Sequence, residues 1–274
     1  MSEYELPNIS IDVIPLMVDR EDNVLKVVVA ERIYEPYLGE LALPGVLLTP
    51  HERIEEACYR ALETKTGIRK YQVAGLWHLG AFDNPNRDPR GATVSISLIA
   101  VLTKDYRQNR PGVTAVPLHQ IVDGSFQLPF DHTTIVCGAA QLASEKFLQS
   151  YAFTKAILGA EFTTKLVRGL LNQFDNMYLT DFDYDPSNLT RSMKKTGWFE
   201  LRAVPNLLMD AAMDTEQSLN IYSPAGSEAG VNSFSATYDT YNPERSQVES
   251  YGSGSRGRPS RTWGWVSETD VYEG

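Results

Sequence analysis

Cysteine is scarce in this chain: two residues, Cys58 and Cys137, in 274. Both fall in apolar helical patterns and neither has a metal-ligand or redox spacing, so both read as small buried hydrophobes. The lack of a cysteine framework points to a reducing, cytoplasmic compartment. Long apolar runs are missing as well. None approaches the roughly 20 residues that cross a bilayer, so no membrane-spanning helix is expected. The N-terminal MSEYELPNIS is polar and acidic, unlike a cleavable signal peptide. Positive charge is in deficit, with 25 Lys and Arg against 35 Asp and Glu and a formal net charge of −10. That balance argues against indiscriminate nucleic-acid binding, which needs clustered Lys and Arg, and it leaves room for a local basic face. No internal repeat is present.

The length suggests about two domains, and 42% hydrophobic with 22% charged residues is ordinary globular composition. ISIDVIPLMV and VLKVVVAER read as two strands across residues 9 to 32, separated by a turn at DREDN. A loop punctuated by Pro36, Gly39, Pro44 and Gly45 follows. From Arg53 to Thr66, apolar Ile54, Ala57, Cys58, Ala61 and Leu62 recur at helical spacing, and Gly67 ends the helix. YQVAGLWHLGAF and ATVSISLIAVLT are two further strands, the second alternating Val94, Ile96, Leu98 and Ala100 with Thr93, Ser95 and Ser97.

After LPFDH the pattern turns helical. A helix is expected over 133–149, then three short ones in AFTKAIL, FTTKLVRGLLNQF and PSNLTRSMKKTGWF, with Thr163 and Ser187 as N-cap or first-turn residues. Strand-like WFELRAV and RTWGWV follow, which together suggest a winged helix-turn-helix. Residues 203–256, rich in Ser, Asn, Tyr, Gly and acids, have no sustained period and read as a long wing insertion, largely a mobile loop.

LPGVLLTPHERIEEACYRALETKTGI, residues 43–68, resembles the Nudix box without gaps at Pro44, Gly45, Pro50, Glu52, Glu55, Glu56, Ala57, Arg60, Leu62, Gly67 and Ile68. In that family three glutamates on one helix face hold Mg²⁺ or Mn²⁺, which neutralises phosphate charge and activates water. Here those positions are Ala61, Thr64 and Lys65. The resemblance therefore implies a nucleotide pocket without efficient hydrolysis. Glu52, Glu56 and Arg60, four apart, are expected to form an ion-pair ladder; a displaced metal site among Glu52, Glu55 and Glu56 is the alternative. Lys65 would replace part of the metal's charge.

GAFDNPNRDPRGATVS resembles the Arg-Asp-Pro-Arg-Gly segment shared by ADP-ribose-type Nudix proteins and by the Nudix-related transcriptional regulators of NAD metabolism, the NrtR family. Arg87 and Arg90 there could bind phosphate bidentately, or could pair with Asp83 and Asp88 to rigidify the hairpin. Arg32 is a further candidate contact. LPFDH resembles that family's interdomain junction, YDPSNLTRSMKKTGWFEL its recognition helix and GRPSR its terminal wing motif. Asp185, Asn188, Arg191 and Gly197 match the recognition pattern, while Thr190 and Ser192 replace basic residues.

The expected fold is thus an α/β Nudix sandwich followed by an α+β winged helix-turn-helix domain. Its divisions are 1–130 for effector binding, 131–150 as a linker helix, and 151–274 for DNA, with the insertion at about 203–256. The resemblance implies a regulator linked to NAD or sugar metabolism, a homodimer sensing ADP-ribose or a related nucleotide and binding double-stranded DNA. The effector would contact Arg32, Glu52, Lys65, Arg87 and Arg90; DNA would contact Thr163, Thr164, Ser187, Asn188, Arg191, Lys194, Lys195, Arg258 and Arg261. No catalytic residue, metal ligand or cofactor is assigned. The alternatives are a divergent, Mg²⁺-dependent Nudix hydrolase and an inactive scaffold using the insertion to capture a protein.

Overall fold

β1 (Asn8–Asp19) and β2 (Val24–Glu31) form an antiparallel hairpin with Asp19 opposite Val24 and Leu16 opposite Val27. The turn closes where Asp19 Oδ1 accepts the Glu21 and Asp22 amides, and Asn23 takes the left-handed conformation that Asn tolerates. The computed structural model describes residues 6–177, 179, 188–202 and 261–266. The predicted insertion at 203–256, with Ser187 and Arg258, lies outside them.

β1 also pairs in parallel with β6 (Thr93–Leu102), which pairs antiparallel with β5 (Val73–Phe82). β3 (Leu41–Ala42) and β7 (Val113–Pro117) flank β2, and β4 (Gly45–Leu47) pairs with β1, completing a mixed sheet. Central position buries β6 on both faces. Ser95 and Ser97, which alternate with the apolar residues of this strand, are fully buried and hydrogen-bond each other at 2.9 Å. Their alternation is real, but both faces are covered.

One face of the sheet carries α1 (Ile54–Ala61), whose Ala57, Cys58 and Ala61 pack with Ile11, Val13, Val28 and Leu98. α1 runs on into a π-helical turn at Leu62–Thr66, and Gly67 at φ 77° stops it as expected. Burial pushes the Cys58 thiol up to about 12, the behaviour of an inert core residue; Cys137 is half-buried. On the other face lie α2 (Leu118–Val122) and α3 (His132–Lys146), which ends three residues before the expected 149.

The three short helices are α4 (Tyr151–Leu158), α5 (Thr164–Asn176) and α6 (Leu189–Lys195). They sit with a second sheet in which β10 (Thr262–Trp265) lies between β8 (Phe162–Thr163) and β9 (Phe199–Leu201). Trp263 is fully buried and its indole N–H donates to Thr164 Oγ1 at 2.8 Å; the Trp265 indole donates to the Gly159 carbonyl at 2.7 Å. Phe162, Phe199 and Tyr151 close edge-on or tilted around Trp265.

A single apolar cluster runs from Ile14, Val27 and Ile99 through α3 to Phe174, Met193 and Trp263, so it crosses the division expected near residue 130. Two polar contacts fasten α5 to the hairpin. The Gln173 side-chain amide accepts from Leu25 N at 2.7 Å and donates to Leu25 O at 3.2 Å, bonding that backbone as a neighbouring strand would. Gly169 faces the turn so closely that a Cβ would lie 2.6 Å from the Asn23 carbonyl oxygen. Alanine in a helix interior normally gains about 1 kcal/mol over glycine. Here Gly169→Ala is expected to do the reverse, lowering the thermal midpoint by about 2–4 °C per kcal/mol lost, read by circular dichroism.

Candidate functional site

A cavity of about 780 Å³ opens beside the end of the π-helical turn, bounded by β1, β2, the β3–β4 segment, the loop at residues 87–90 and the start of α3. Its floor is a buried charge network. Arg87, with a side chain only 3% exposed, donates from Nε and Nη2 to both Asp131 oxygens at 2.9 and 2.8 Å, from Nη2 to Asp12 at 2.8 Å, and from Nη1 to Ser10 Oγ at 3.1 Å. Burial works against the Arg87 charge, but Asp131 and Asp12 outweigh it and its pKa is raised. The expected pairing of Arg87 with Asp83 or Asp88 is replaced by partners from β1 and the α3 N-terminus, remote in sequence.

His132 continues the network. Its Nδ1 accepts the Leu43 amide at 3.1 Å, which places the proton on Nε2, 3.8 Å from Asp12. Complete burial lowers its pKa despite the nearby acids, so the ring is neutral. Gly45, opposite Asp12 in the β1–β4 register, has no side chain because the Asp12 carboxylate occupies that space. The glycine at the start of the box is thus a packing requirement.

The box helix presents its residues differently from a metal-binding face. Ala61 is buried in the sheet-side core, Thr64 donates its hydroxyl to the Arg60 carbonyl at 2.6 Å, and Lys65 is exposed on the cavity wall. Glu52 is clamped by Arg60 through two 2.7 Å bonds and also accepts from Thr49; the Arg60 contact leads in holding its pKa at about 2. Glu56 does not join the expected ladder. Its carboxylate accepts the Arg53 amide at 2.9 Å and caps the helix start, a local bond available to any glutamate three residues into a helix. Among the described residues no group of three His, Cys, Asp or Glu could hold a metal ion. The donors present do not fit a divalent-cation site.

Among the described residues, six cations line the cavity. Arg60 pairs with Glu52, Arg87 with Asp12 and Asp131, and Arg90 with Asp88 at 2.7 Å, the last matching one of the two pairings expected for this loop. Arg32, Lys65 and Arg110 have no carboxylate partner among the described residues. Arg32 donates to the Pro36 and Tyr34 carbonyls and lies over the Phe130 ring, 4.7 Å from its centroid. Of the five predicted effector contacts, Arg32, Lys65, Arg87 and Arg90 line the cavity, and Glu52 stands behind Arg60. Sequence reasoning missed Asp12, Asp131, His132, Phe130 and Arg110. A charged residue inside the strand ISIDVI was the one local signal for Asp12.

In the second region, Leu189 and Met193 of α6 are buried while Arg191, Lys194 and Lys195 are exposed, as the spacing predicts. Asn188 holds the N-cap position of this helix, and Ser187 lies outside the described residues. Arg261 is exposed at the start of β10. Thr163 N-caps α5 by accepting from Leu166 N at 3.1 Å, and Thr164 accepts from Trp263; both hydroxyls serve the fold directly.

No family model matches the chain. Over 74 residues it is 38% identical to an ADP-ribose pyrophosphatase of Methanocaldococcus jannaschii, a match spanning 27% of this chain and 42% of that protein's length. A MutT/nudix family protein from Enterococcus faecalis is similar at TM-score 0.56 and 24% identity, over 73% of this chain and 85% of the other. Shewanella oneidensis NrtR, solved with a 27mer DNA, is similar at TM-score 0.57 and 20% identity, over 73% and 90%. The fold is a Nudix-type sandwich followed by a smaller winged helix-turn-helix region, arranged as in NrtR.

Two measurements test this electrostatic frame. Arg87→Met strands Asp12 and Asp131 in the interior and is expected to cost about 3–5 kcal/mol in denaturant unfolding. Glu52 has a folded pKa lowered to about 2 from 4.5, so its contribution is complete above pH 4.5 and lost as pH falls through about 2. The stability gap between the natural chain and Glu52→Gln is expected to close over that window in thermal melts.

Proposed function

We propose that the chain is a ligand-responsive DNA-binding regulator whose Nudix-type domain binds ADP-ribose or a related nucleoside diphosphate without cutting it. The observation that carries this reading is Lys65. A cation stands on the cavity wall at the end of the box helix, where hydrolysis would require carboxylates. Glu52 and Glu56 are engaged with Arg60 and the Arg53 amide, so neither is left over as a ligand. The likeness to an ADP-ribose pyrophosphatase supports the ligand class, and the cationic lining supports a phosphorylated one.

The DNA-binding part of the reading rests on α6. With its apolar side in the core, the helix offers Arg191, Lys194 and Lys195 outward, and Arg261 lies at the foot of the wing. Such a helix docks in a major groove with phosphates neutralised at its flanks. Two-fold symmetric half-sites need paired recognition helices, so the active species is a homodimer. Effector binding then favours one relative placement of the two DNA-binding regions. α3 is the coupling element: Asp131 and His132 at its start belong to the cavity network, and its body lies in the cluster shared with α5 and α6.

A second reading, slow metal-dependent hydrolysis, is favoured by the identity to the archaeal pyrophosphatase. Incubation with ADP-ribose and Mg²⁺ or Mn²⁺ separates the two. No turnover is expected; turnover abolished by Glu56→Gln would establish the enzyme instead. For the regulator, ADP-ribose is expected to raise the thermal midpoint, by about 2.7 kcal/mol of stabilisation at a hundredfold excess over Kd. Gel shifts with the DNA upstream of its own gene are expected to give a saturable complex. Lys194→Ala with Lys195→Ala should weaken that complex and reduce the log–log salt slope by about 2. A chain that neither shifts this DNA nor responds to any nucleotide is not such a regulator.

A further inference from the structure

Arg110 belongs to no recognised motif, yet the loop around it is built to hold it still. Tyr106 buries its ring at 5% exposure, and Arg107 donates to the Lys104 and Tyr106 carbonyls at 2.8 Å. The Gln108 amide donates to the Arg110 carbonyl at 2.6 Å and also to the Val113 carbonyl, bracketing the residue from both sides. Gly112, at φ 72°, turns the chain back so that its carbonyl accepts the Glu31 amide at 2.7 Å. The Arg110 guanidinium then reaches the end of the box helix, where Nη1 donates to the Glu63 and Thr64 carbonyls at 3.3 and 3.2 Å.

These contacts engage Nη1 alone. Nε and Nη2 carry three more N–H donors, and none has a protein partner among the described residues. The neighbouring Lys65 ammonium likewise has none, and both residues line the cavity. A guanidinium anchored by one edge, with the other edge open, is preorganised for a bidentate oxyanion. A helix carboxyl end also favours a cation, and that alone would explain the Nη1 contacts. It does not explain a loop braced at four residues, nor a second unpaired cation beside it.

Resting on the reading of the cavity as a nucleotide site, we propose that Arg110 and Lys65 form its phosphate subsite. Arg110 grips two oxygens of a nucleoside diphosphate through Nε and Nη2, and Lys65 supplies the second charge. The subsite takes the diphosphate as the bare anion. A magnesium complex would bring a divalent cation against the anchored Arg110 guanidinium and the Lys65 ammonium, and like charges at contact distance repel strongly in a partly desolvated cavity. Gln108 is a positioning residue that acts through the Arg110 backbone.

Calorimetric titration of the full chain with ADP-ribose, and separately with inorganic pyrophosphate, tests the proposal. Arg110→Ala is expected to weaken ADP-ribose binding about ten- to a hundredfold, the scale of charge-assisted hydrogen bonds. Arg110→Lys should recover part of the loss, and Gln108→Ala should weaken binding less than Arg110→Ala. EDTA should leave the natural chain's affinity unchanged, and Mg²⁺ added at constant ionic strength should lower it. If Arg110 only fastens its loop to the helix, Arg110→Ala lowers the melting temperature and leaves affinity intact, which overturns the subsite while the effector reading stands. Binding that needs Mg²⁺ overturns it too. Arg110-dependent binding of pyrophosphate without ADP-ribose binding supports the subsite and removes the effector reading. Binding of neither ligand removes both.

Discussion

A guanidinium cannot be left unpaired in a protein interior, and the burial of Arg87 organises everything around the cavity. Two carboxylates and a hydroxyl must converge on it, and they come from distant parts of the chain: Ser10 and Asp12 from β1, Asp131 from the entrance of α3. Once Asp12 is committed to Arg87, Gly45 must lack a side chain and the neutral His132 can take its place between Asp12 and the Leu43 amide. One ionic requirement therefore sets the strand, the box entrance and the helix start relative to one another. The cavity is the space these constraints leave open.

The same requirement reaches the second region through α3. Its N-terminus is fixed by charge and its body by apolar packing, in a cluster that continues to Trp263. α5 is held to the β1–β2 hairpin by the Gln173 amide and by the closeness of Gly169 to Asn23. Within the chain the second region thus follows the sandwich through packed contacts on two elements. For the proposed regulator, a change at the cavity floor has a continuous path of packed groups toward α6, and the adjustable quantity is the relation between two protomers.

Much of this was legible in the sequence where physics is local. The box helix declared itself through Ala57, Cys58, Ala61 and Leu62, because one apolar face must repeat every three or four residues. Gly67 ended it because a left-handed residue was needed. α6 showed its polarity as plainly, with Leu189 and Met193 inward and its cations outward. Where spacing was compatible with two partners, it misled. Glu56 lies four residues from Arg60 and also three from the backbone amide it caps, and the amide won because it needs no ordering of a second long side chain. The alternation in β6 put Ser95 and Ser97 on one side of the strand but could not reveal that both its faces are covered.

Alone, the sequence determined the principal strands and helices, the place of the box and the absence of carboxylates at Ala61, Thr64 and Lys65, since these depend on residue type and short-range period, while β7 and α2 came only with the fold. The tertiary structure decided which charges are spent and which remain. Arg87, Arg90 and Arg60 are equivalent on paper to Arg32, Lys65 and Arg110, yet the first three are neutralised by partners and the last three face the cavity with no carboxylate partner among the described residues. An ion pair forms between groups within about 4 Å, a distance set by the path of the whole chain. Asp131 stands 44 residues from Arg87, so no local pattern could have joined them.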